Sequence, residues 1–525
     1  MIAIPEKYFN IILNCIRLNY SKSFREATSN GIFFRSTPIL LTFYMLFLFN
    51  PVCVASFRSW LPCLCGMAFL GFSCHPAVKN DKPNIVLIVA DDLGWKDVGF
   101  MGSGYYETPN LDALSERSTW FTQAYAGASN CAPSRACLLT GLNTPRHGIY
   151  TVSPSERGDR RARQLIPASN TMVLHDSFTT IAEVLHQSGY QTCSIGKWHI
   201  GADPRSQGFD INIGGTSAGH PKSYYSPYAN AALSDGPTGE YLTDRLTDEA
   251  IRFIRSDKQK PFFLYLPYFA IHTPLQGPED LVEHYRDKPP SDGQGSNADY
   301  AAMVTRLDWN IGRILRILES LDPGSNTLVI VTSDNGGISY LSRQWPLRAG
   351  KGSYYEGGVR VPLIFYWPGK IPAGMVVNTP VSQLDLFSTI LDLAGIAPIP
   401  QTDGLSLGKL LLEDKPLSDR ALYWHFPVYL EAYKVGDDES RDPLFRTRPG
   451  TTMRYHNWKL HYFMEDQQYE LYDLSADPGE KINLDSRQLP VEDTLRSMMT
   501  AWWQETGAPI PATPNPDFDP SFEIH

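Results

Sequence analysis

Four oxygen-donor side chains stand directly after two apolar runs: Asp91 and Asp92 follow NIVLIVA, and Asp334 and Asn335 follow TLVIVTS. Carboxylate and amide oxygens suit hard cations, and adjacent acidic groups at strand ends repel unless a cation compensates them, so the four together predict a Ca2+ or Mg2+ site. Either pair alone is also an ordinary turn sequence. A basic set, Arg135, Lys197, His199, His272 and Lys351, falls beside strand ends or in glycine-rich turns (GKWHIG, IHTP, AGKGS). Cations gathered opposite a metal suit a tetrahedral dianion or its ester. A single histidine is more often structural; His199 and His272 gain weight from sharing a strand-end layer with the acidic groups.

The stretch from Cys131 to Gly141, CAPSRACLLTG, resembles the signature of the type I sulfatases, the arylsulfatase-like branch of the alkaline phosphatase superfamily. There, Cys-x-Pro-Ser-Arg directs oxidation of the cysteine to Cα-formylglycine. The family's other motifs appear in order as IVADDLGW, IGKWHIG, AIHTPL, TSDNGG and AGKGSYYEGGVRVP, with a similar C-terminal YELYDLSADPGEKINL, so the resemblance runs from about Pro83 to Gly507. It implies that a formylglycine-generating or anaerobic sulfatase-maturating enzyme acts on Cys131. It also implies that Asp91, Asp92, Asp334, Asn335 and the modified residue 131 hold the metal. One hydroxyl of the hydrated aldehyde attacks sulfur, and deprotonating the other expels sulfate, which a serine could not do. Arg135 would orient this group. Lys197 and His199 would lie near the nucleophile and sulfate, with His199 the better base for elimination. His272 and Lys351 would hold sulfate and protonate the leaving oxygen, although these roles are exchangeable among the four.

These residues need a scaffold that brings strand ends together. The continuous apolar run Asn84 to Ala90 predicts a strand buried on both faces. Further strands are predicted at 192–195, 262–267, 327–332 and 362–367. Helices are predicted at 179–187, 243–255, 300–321 and 383–393, and another from Thr108, as N-cap, toward Arg117. Alternation of this kind predicts an α/β fold with a mostly parallel sheet between helices and ligands beyond the carboxyl ends of the strands. After about Gly404, strand candidates at 421–426, 453–463 and 469–474 and a helix at 491–505 predict a smaller antiparallel sheet with a packing helix. The expected divisions are a targeting region and linker (1–80), a catalytic domain (81–403) and a C-terminal α+β subdomain (404–525).

The chain has 525 residues, 42% of them hydrophobic, 12% aromatic and 19% charged, enough to bury a large core. The first 75 residues carry six basic and two acidic residues, so the net charge of −10 leaves −14 on the rest, which argues against a nucleic-acid-binding body. Five of the eight cysteines lie in that same segment, so the body is not a disulfide-stapled scaffold. Two apolar stretches, 38–57 and 61–74, predict export to the periplasm, the outer membrane as a lipoprotein acylated at Cys74, or the extracellular space; retention as a membrane anchor is the alternative. The substrate expected is a sulfated carbohydrate in preference to an aryl or steroid sulfate. Long loops at 152–176 and 214–239 suit substrate binding. Arg157, Arg160, Arg161 and Arg163 there either bind an anionic polymer or are simply solvated, and Trp345, Arg348 and Ser217–Tyr228 are candidates for sugar contacts. Two rival functions are a phosphoester or phosphonate monoester hydrolase of the same superfamily and a non-catalytic sulfated-glycan-binding protein.

Overall fold

The run NIVLIVA forms strand β1 (Asn84–Ala90), and alternate residues face two different cores. Val86 and Ile88 pack with Leu246 and Phe253 of helix α4 (Leu242–Arg255) and with Val304, Leu307 and Ile311 of α5 (Ala298–Leu321). Ile85, Leu87 and Val89 pack with Leu138 and Leu139 of α2 (Cys131–Thr140), Ile181 and Leu185 of α3 (Ile181–Gln187), and Phe387 and Ile390 of α6 (Leu384–Leu393). A strand apolar at six successive positions, Ile85 to Ala90, is therefore the center of a helix–sheet–helix sandwich. This computed structural model describes residues 82–522 except 155–156, 257–258, 292–296, 322–325, 437 and 488. The expectations for the N-terminal 80 residues, including Cys74, lie outside the described residues.

The main sheet has nine strands in the order β4-β3-β5-β1-β6-β7-β2-β8, with β9 also pairing β2. These are β2 (Thr119–Tyr125), β3 (Gln191–Ile195), β4 (Ile211–Ile213), β5 (Phe262–Pro267), β6 (Thr327–Ser333), β7 (Arg360–Tyr366), β8 (Met375–Val377) and β9 (Val381–Ser382). Only β7 runs against its neighbors β6 and β2. The segment between β6 and β7 has no long crossover helix, and an antiparallel partner does not require one. That freed segment carries Asp334, Asn335 and Lys351.

Thr180 caps α3 in a reciprocal box with Glu183. Thr108, expected to cap helix α1 (Pro109–Ser115), makes no capping bond. Its hydroxyl accepts from Gly99 N and donates to Asp112, while the Asp308 carboxylate, reaching across from α5, takes the amides of Asn110 and Leu111. Strand β2 and helix α2 were not among the predicted elements.

A second sheet has the antiparallel order β10-β13-β14-β15 (Ala421–Phe426, Gly450–Tyr455, Trp458–Phe463, Gln468–Asp473). The single strand expected over 453–463 is two, joined by a hairpin at His456-Asn457, where His456 adopts φ 51°. Leu495 and Met499 of α7 (Val491–Thr506) close this sheet over Met453, Leu460 and Leu471. A short ribbon pairs β11 (Leu430–Glu431) with β12 (Phe445–Thr447). From Lys82 onward the described residues form one compact unit. None of their helices is long and apolar enough to cross a membrane.

Candidate active site

Strand order assembles the site. Because β1 and β6 are parallel neighbors with Ala90 opposite Ser333, Asp91 and Asp334 leave the sheet side by side, and Asp334 N donates to Ala90 O at 3.0 Å. On the other flank of β1, the chain leaving β5 is tied to it by Asp91 N→Ala270 O (2.8 Å) and Ile271 N→Asp91 O (2.7 Å), which brings in His272. Strand β3 lies beyond β5, and Lys197 N donates to Pro267 O at 2.7 Å. Asp92 adopts φ 67°, a conformation usually left to glycine, and its amide donates to Asp334 Oδ1 at 3.2 Å.

Cys131 is the first residue of α2, fully buried, with Sγ 3.4 Å from Asp91 Oδ1 and 3.7 Å from Asp92 Oδ1. One turn later Arg135 donates from Nε (3.0 Å) and Nη2 (2.8 Å) to Asp334 Oδ2 and from Nη1 (3.0 Å) to Lys197 O. Lys197 Nζ is 2.6 Å from Asp91 Oδ2, Lys351 Nζ is 2.7 Å from Asp92 Oδ2, and His272 Nε2 is 3.7 Å from the same Asp92 oxygen. Each of the three carboxylates thus has its own cation.

Burial, aided by Asp334 and Asp92, pushes the Asp91 carboxyl up to about 8 despite Lys197. Burial acts on Asp92 as well, but Lys351, His272 and Lys197 hold its carboxyl below the ordinary range. For Asp334 burial is outweighed by Arg135 and Lys197. Burial raises the Cys131 thiol far above its ordinary value, so as a thiol it is a poor nucleophile at neutral pH. Burial lowers His272 to about 3 and, together with Lys197 and Arg135, keeps His199 well below its ordinary value, so both rings are neutral. His272 Nδ1 lies 2.8 Å from Thr273 O, which places a proton on Nδ1 and leaves Nε2 as the free nitrogen.

Asp91, Asp92, Cys131 and Asp334 each offer a ligand atom within 4.8 Å of the others. Asn335 Nδ2 donates to Asp92 Oδ1 at 2.8 Å, while its buried Oδ1 has no partner among the described residues. Three carboxylates and an orphaned amide oxygen fit a Ca2+ or Mg2+ ion. A thiol is the misfit in this hard-donor set; an oxygen function at position 131 would complete it.

All ten sequence-derived site residues lie in this layer. His199 sits at φ 70° with its buried Nδ1 unpartnered, its ring against Gly219, where a Cβ would approach to 2.5 Å. The arginines of the 152–176 loop are mostly committed elsewhere: Arg157 to Glu431 (3.1 Å), Arg160 to Asp517 (3.0 Å), Arg161 to Asp159 (2.8 Å), and Arg163, itself buried, to Gly158 O (2.7 Å). They brace a loop instead of forming an open basic surface. In the SAGHPKSYYSPY stretch, Tyr224 and Tyr228 are likewise buried. Tyr224 OH donates to Phe269 O (2.6 Å) and His272 O (2.8 Å), steadying the His272 turn, a role its sequence neighborhood did not reveal. His220 remains exposed and stacks on His272, centroids 6.0 Å apart.

The sulfatase family model matches residues 83–396, and the model described as N-sulphoglucosamine sulphohydrolase, C-terminal, matches residues 350–504. The chain is 34% identical over 515 residues to a sulfatase of Formosa agariphila, covering 82% of this chain and 90% of that one. It is 31% identical over 479 residues to the N-acetylgalactosamine-6-sulfatase of Homo sapiens, covering 82% and 87%. Among solved structures, Ps i-CgsB in complex with k-i-k-neocarrahexaose is similar at 30% identity and a TM-score of 0.65, over 82% of this chain and 94% of the other.

Proposed function

This chain belongs to the sulfatase family and is a sulfuric ester hydrolase, and from that premise we propose that it removes sulfate from sulfated carbohydrates with residue 131, converted to formylglycine, as nucleophile. The observation that carries the reading is the Cys131 side chain at the head of α2, packed against Asp91 and Asp92 and one turn from the Arg135–Asp334 pair. The similar proteins, one named an N-acetylgalactosamine-6-sulfatase and one crystallised with k-i-k-neocarrahexaose, support a sugar sulfate.

The converted side chain would supply a hydrated aldehyde, one hydroxyl attacking sulfur and the other, once deprotonated, expelling sulfate. A Ca2+ or Mg2+ ion held by Asp91, Asp92, Asp334 and Asn335 would polarise a sulfate oxygen and acidify the attacking hydroxyl. Arg135 fixes Asp334 and, through Lys197 O, the turn that bears Lys197. Lys197 and Lys351 present ammonium groups to an anion entering between them. His199, neutral and with a free buried nitrogen, accepts the proton whose loss releases sulfate. His272, held by Tyr224 and Thr273, faces the leaving oxygen together with Lys351.

Export of the chain belongs to the same proposal. Conversion of Cys131 by a formylglycine-generating or anaerobic sulfatase-maturating enzyme would precede folding, because the folded protein leaves the residue 1% exposed.

The test pairs chemistry with activity. The peptide bearing residue 131 should be about 18 Da lighter than its thiol form, and purified protein should hydrolyse position-defined sulfated saccharides in preference to a matched aryl phosphate. Cys131→Ser should stop after one turnover with a sulfated serine. Free thiol throughout a fully active preparation, or repeated turnover by the serine variant, would overturn the nucleophile assignment; a preference for phosphate would favor the phosphoester reading.

A further inference from the structure

The loop that follows Asn335 does more than deliver Lys351. Between them it borders an open cavity of about 770 Å³, within the size range of small-molecule binding sites, whose wall includes Lys96, Arg343, Trp345, Arg348, Glu439 and Lys481. Trp345 is 58% exposed there, an unusual placement for the largest apolar side chain.

Four cationic side chains, Lys96, Arg343, Arg348 and Lys481, line the cavity beside two carboxylates, Glu439 and Glu480. Arg348 donates to two carbonyl oxygens, Glu439 O at 2.8 Å and Glu480 O at 3.0 Å, so these bonds leave its charge unneutralised. Lys481 is exposed and forms no ion pair among the described residues. Arg343 pairs with Glu439 at 3.8 Å, with both side chains more than half exposed. The other carboxylate on this wall, Glu480, turns inward to Lys459 (3.1 Å) and His461 (2.9 Å).

The cavity wall is linked to the reaction center through its loops. Gln344 on its wall lies against Gly94, two residues after Asp92, where an added Cβ would come within 2.2 Å of Gln344 Nε2. Gln344 also takes the amide of Lys96 at 2.6 Å. Ser339 lines the cavity, and its neighbor Tyr340 is 49% exposed. Lys351 N is bonded to Gly337 O at 2.8 Å, so catalytic lysine and cavity wall share one loop.

We propose that this cavity is a second subsite of the same enzyme, holding an anionic sugar residue further along the substrate chain, with Trp345 stacked on the pyranose face and Lys481 meeting its sulfate or carboxylate. The proposal rests on the sulfated-carbohydrate reading above. It makes this a chain-recognising sulfatase that distinguishes an oligosaccharide from a single sulfated sugar.

The test compares wild type with Trp345→Ala and Lys481→Glu, both at exposed positions outside the catalytic layer. The probes are a sulfated galactan hexasaccharide, a hexasaccharide of N-acetylgalactosamine 6-sulfate and uronic acid, and 4-methylumbelliferyl sulfate, with hexasaccharide binding also measured by calorimetry. Each variant should raise KM, and weaken binding, about tenfold or more for at least one hexasaccharide while kcat/KM for the aryl sulfate stays within about twofold of wild type. Hexasaccharide kinetics and binding unchanged in both variants would overturn the subsite and leave the sulfatase reading intact. Absence of turnover on every probe by wild type would instead count against the sulfatase reading, and calorimetry would then decide the subsite alone: binding lost in the variants supports it, and no binding by wild type overturns it.

Discussion

Replacing Arg135 with leucine removes a fully buried cation that makes two bonds to Asp334 and one to Lys197 O. At the observed 2.8 Å, opposite unit charges attract by about 6 kcal/mol at an effective dielectric constant of 20, before desolvation of the guanidinium is subtracted. Asp334 left alone would take up a proton, and lifting its pKa from 3.8 to neutral pH costs about 4 kcal/mol, which limits the electrostatic loss. The orphaned Lys197 carbonyl adds about 1 kcal/mol. The single variant should therefore lose about 3–5 kcal/mol of stability, the range for one partner stripped from a buried pair. The assay is urea unfolding of the intact chain in chelator for wild type, Arg135→Leu, Asp334→Asn and the double variant. Removing both charges should recover much of the loss, with a coupling energy of about 3 kcal/mol. Additivity within about 0.5 kcal/mol would mean that the two side chains do not compensate each other, and the electrostatic account of the site would be wrong.

Two further outcomes follow from the charge layout. Chelation should abolish hydrolysis, and Ca2+ or Mg2+ at a hundred times its dissociation constant should restore about 2.7 kcal/mol of stability; an Asp91→Asn/Asp334→Asn variant that responds equally to the ion would place the site elsewhere. His147 and His425 are buried, and burial pushes them down to about 3 and about 4. Because their folded values lie below the unfolded value of 6.5, the stability they contribute is present above pH 6.5 and is lost as pH falls toward 4. At pH 5 the two together should cost about 4 kcal/mol, and His147→Asn should remove about half of that slope; an unchanged slope would refute the assignment.

The chemistry of the site was legible because strand-end residues cluster wherever their strands are neighbors, and short apolar runs such as NIVLIVA announce buried parallel strands. Cys131 needed motif resemblance, since no periodicity connects it to β1 or β6. What stayed hidden depended on distant partners. Thr108 looks like a cap, but Asp308, two hundred residues later, takes the helix amides. Arg157 and Arg160 read equally as an anion site or as solvated, and their pairs with Glu431 and Asp517 are visible only in the fold. The reversal of β7 could not be read from RVPLIFY, because a buried strand has the same composition in either direction.

The second sheet is sewn to the reaction loop by buried charge. Glu356, five residues after Lys351, is paired with Lys459 of β14 at 2.9 Å and accepts from Tyr125 OH, which in turn accepts from Arg454 of β13. Arg446 of β12 donates to Lys351 O itself at 3.3 Å. A chain cut near residue 403 would take Lys459 from Glu356, leaving it Arg360 at 3.4 Å, and take Arg446 from Lys351 O, loosening the loop that bears Lys351. The smallest transplantable unit for a chimera is therefore the whole span through α7, which closes the sheet that carries Lys459. Grafting a foreign C-terminal sheet to alter specificity would succeed only if the donor carried its own equivalents of Arg446, Arg454 and Lys459.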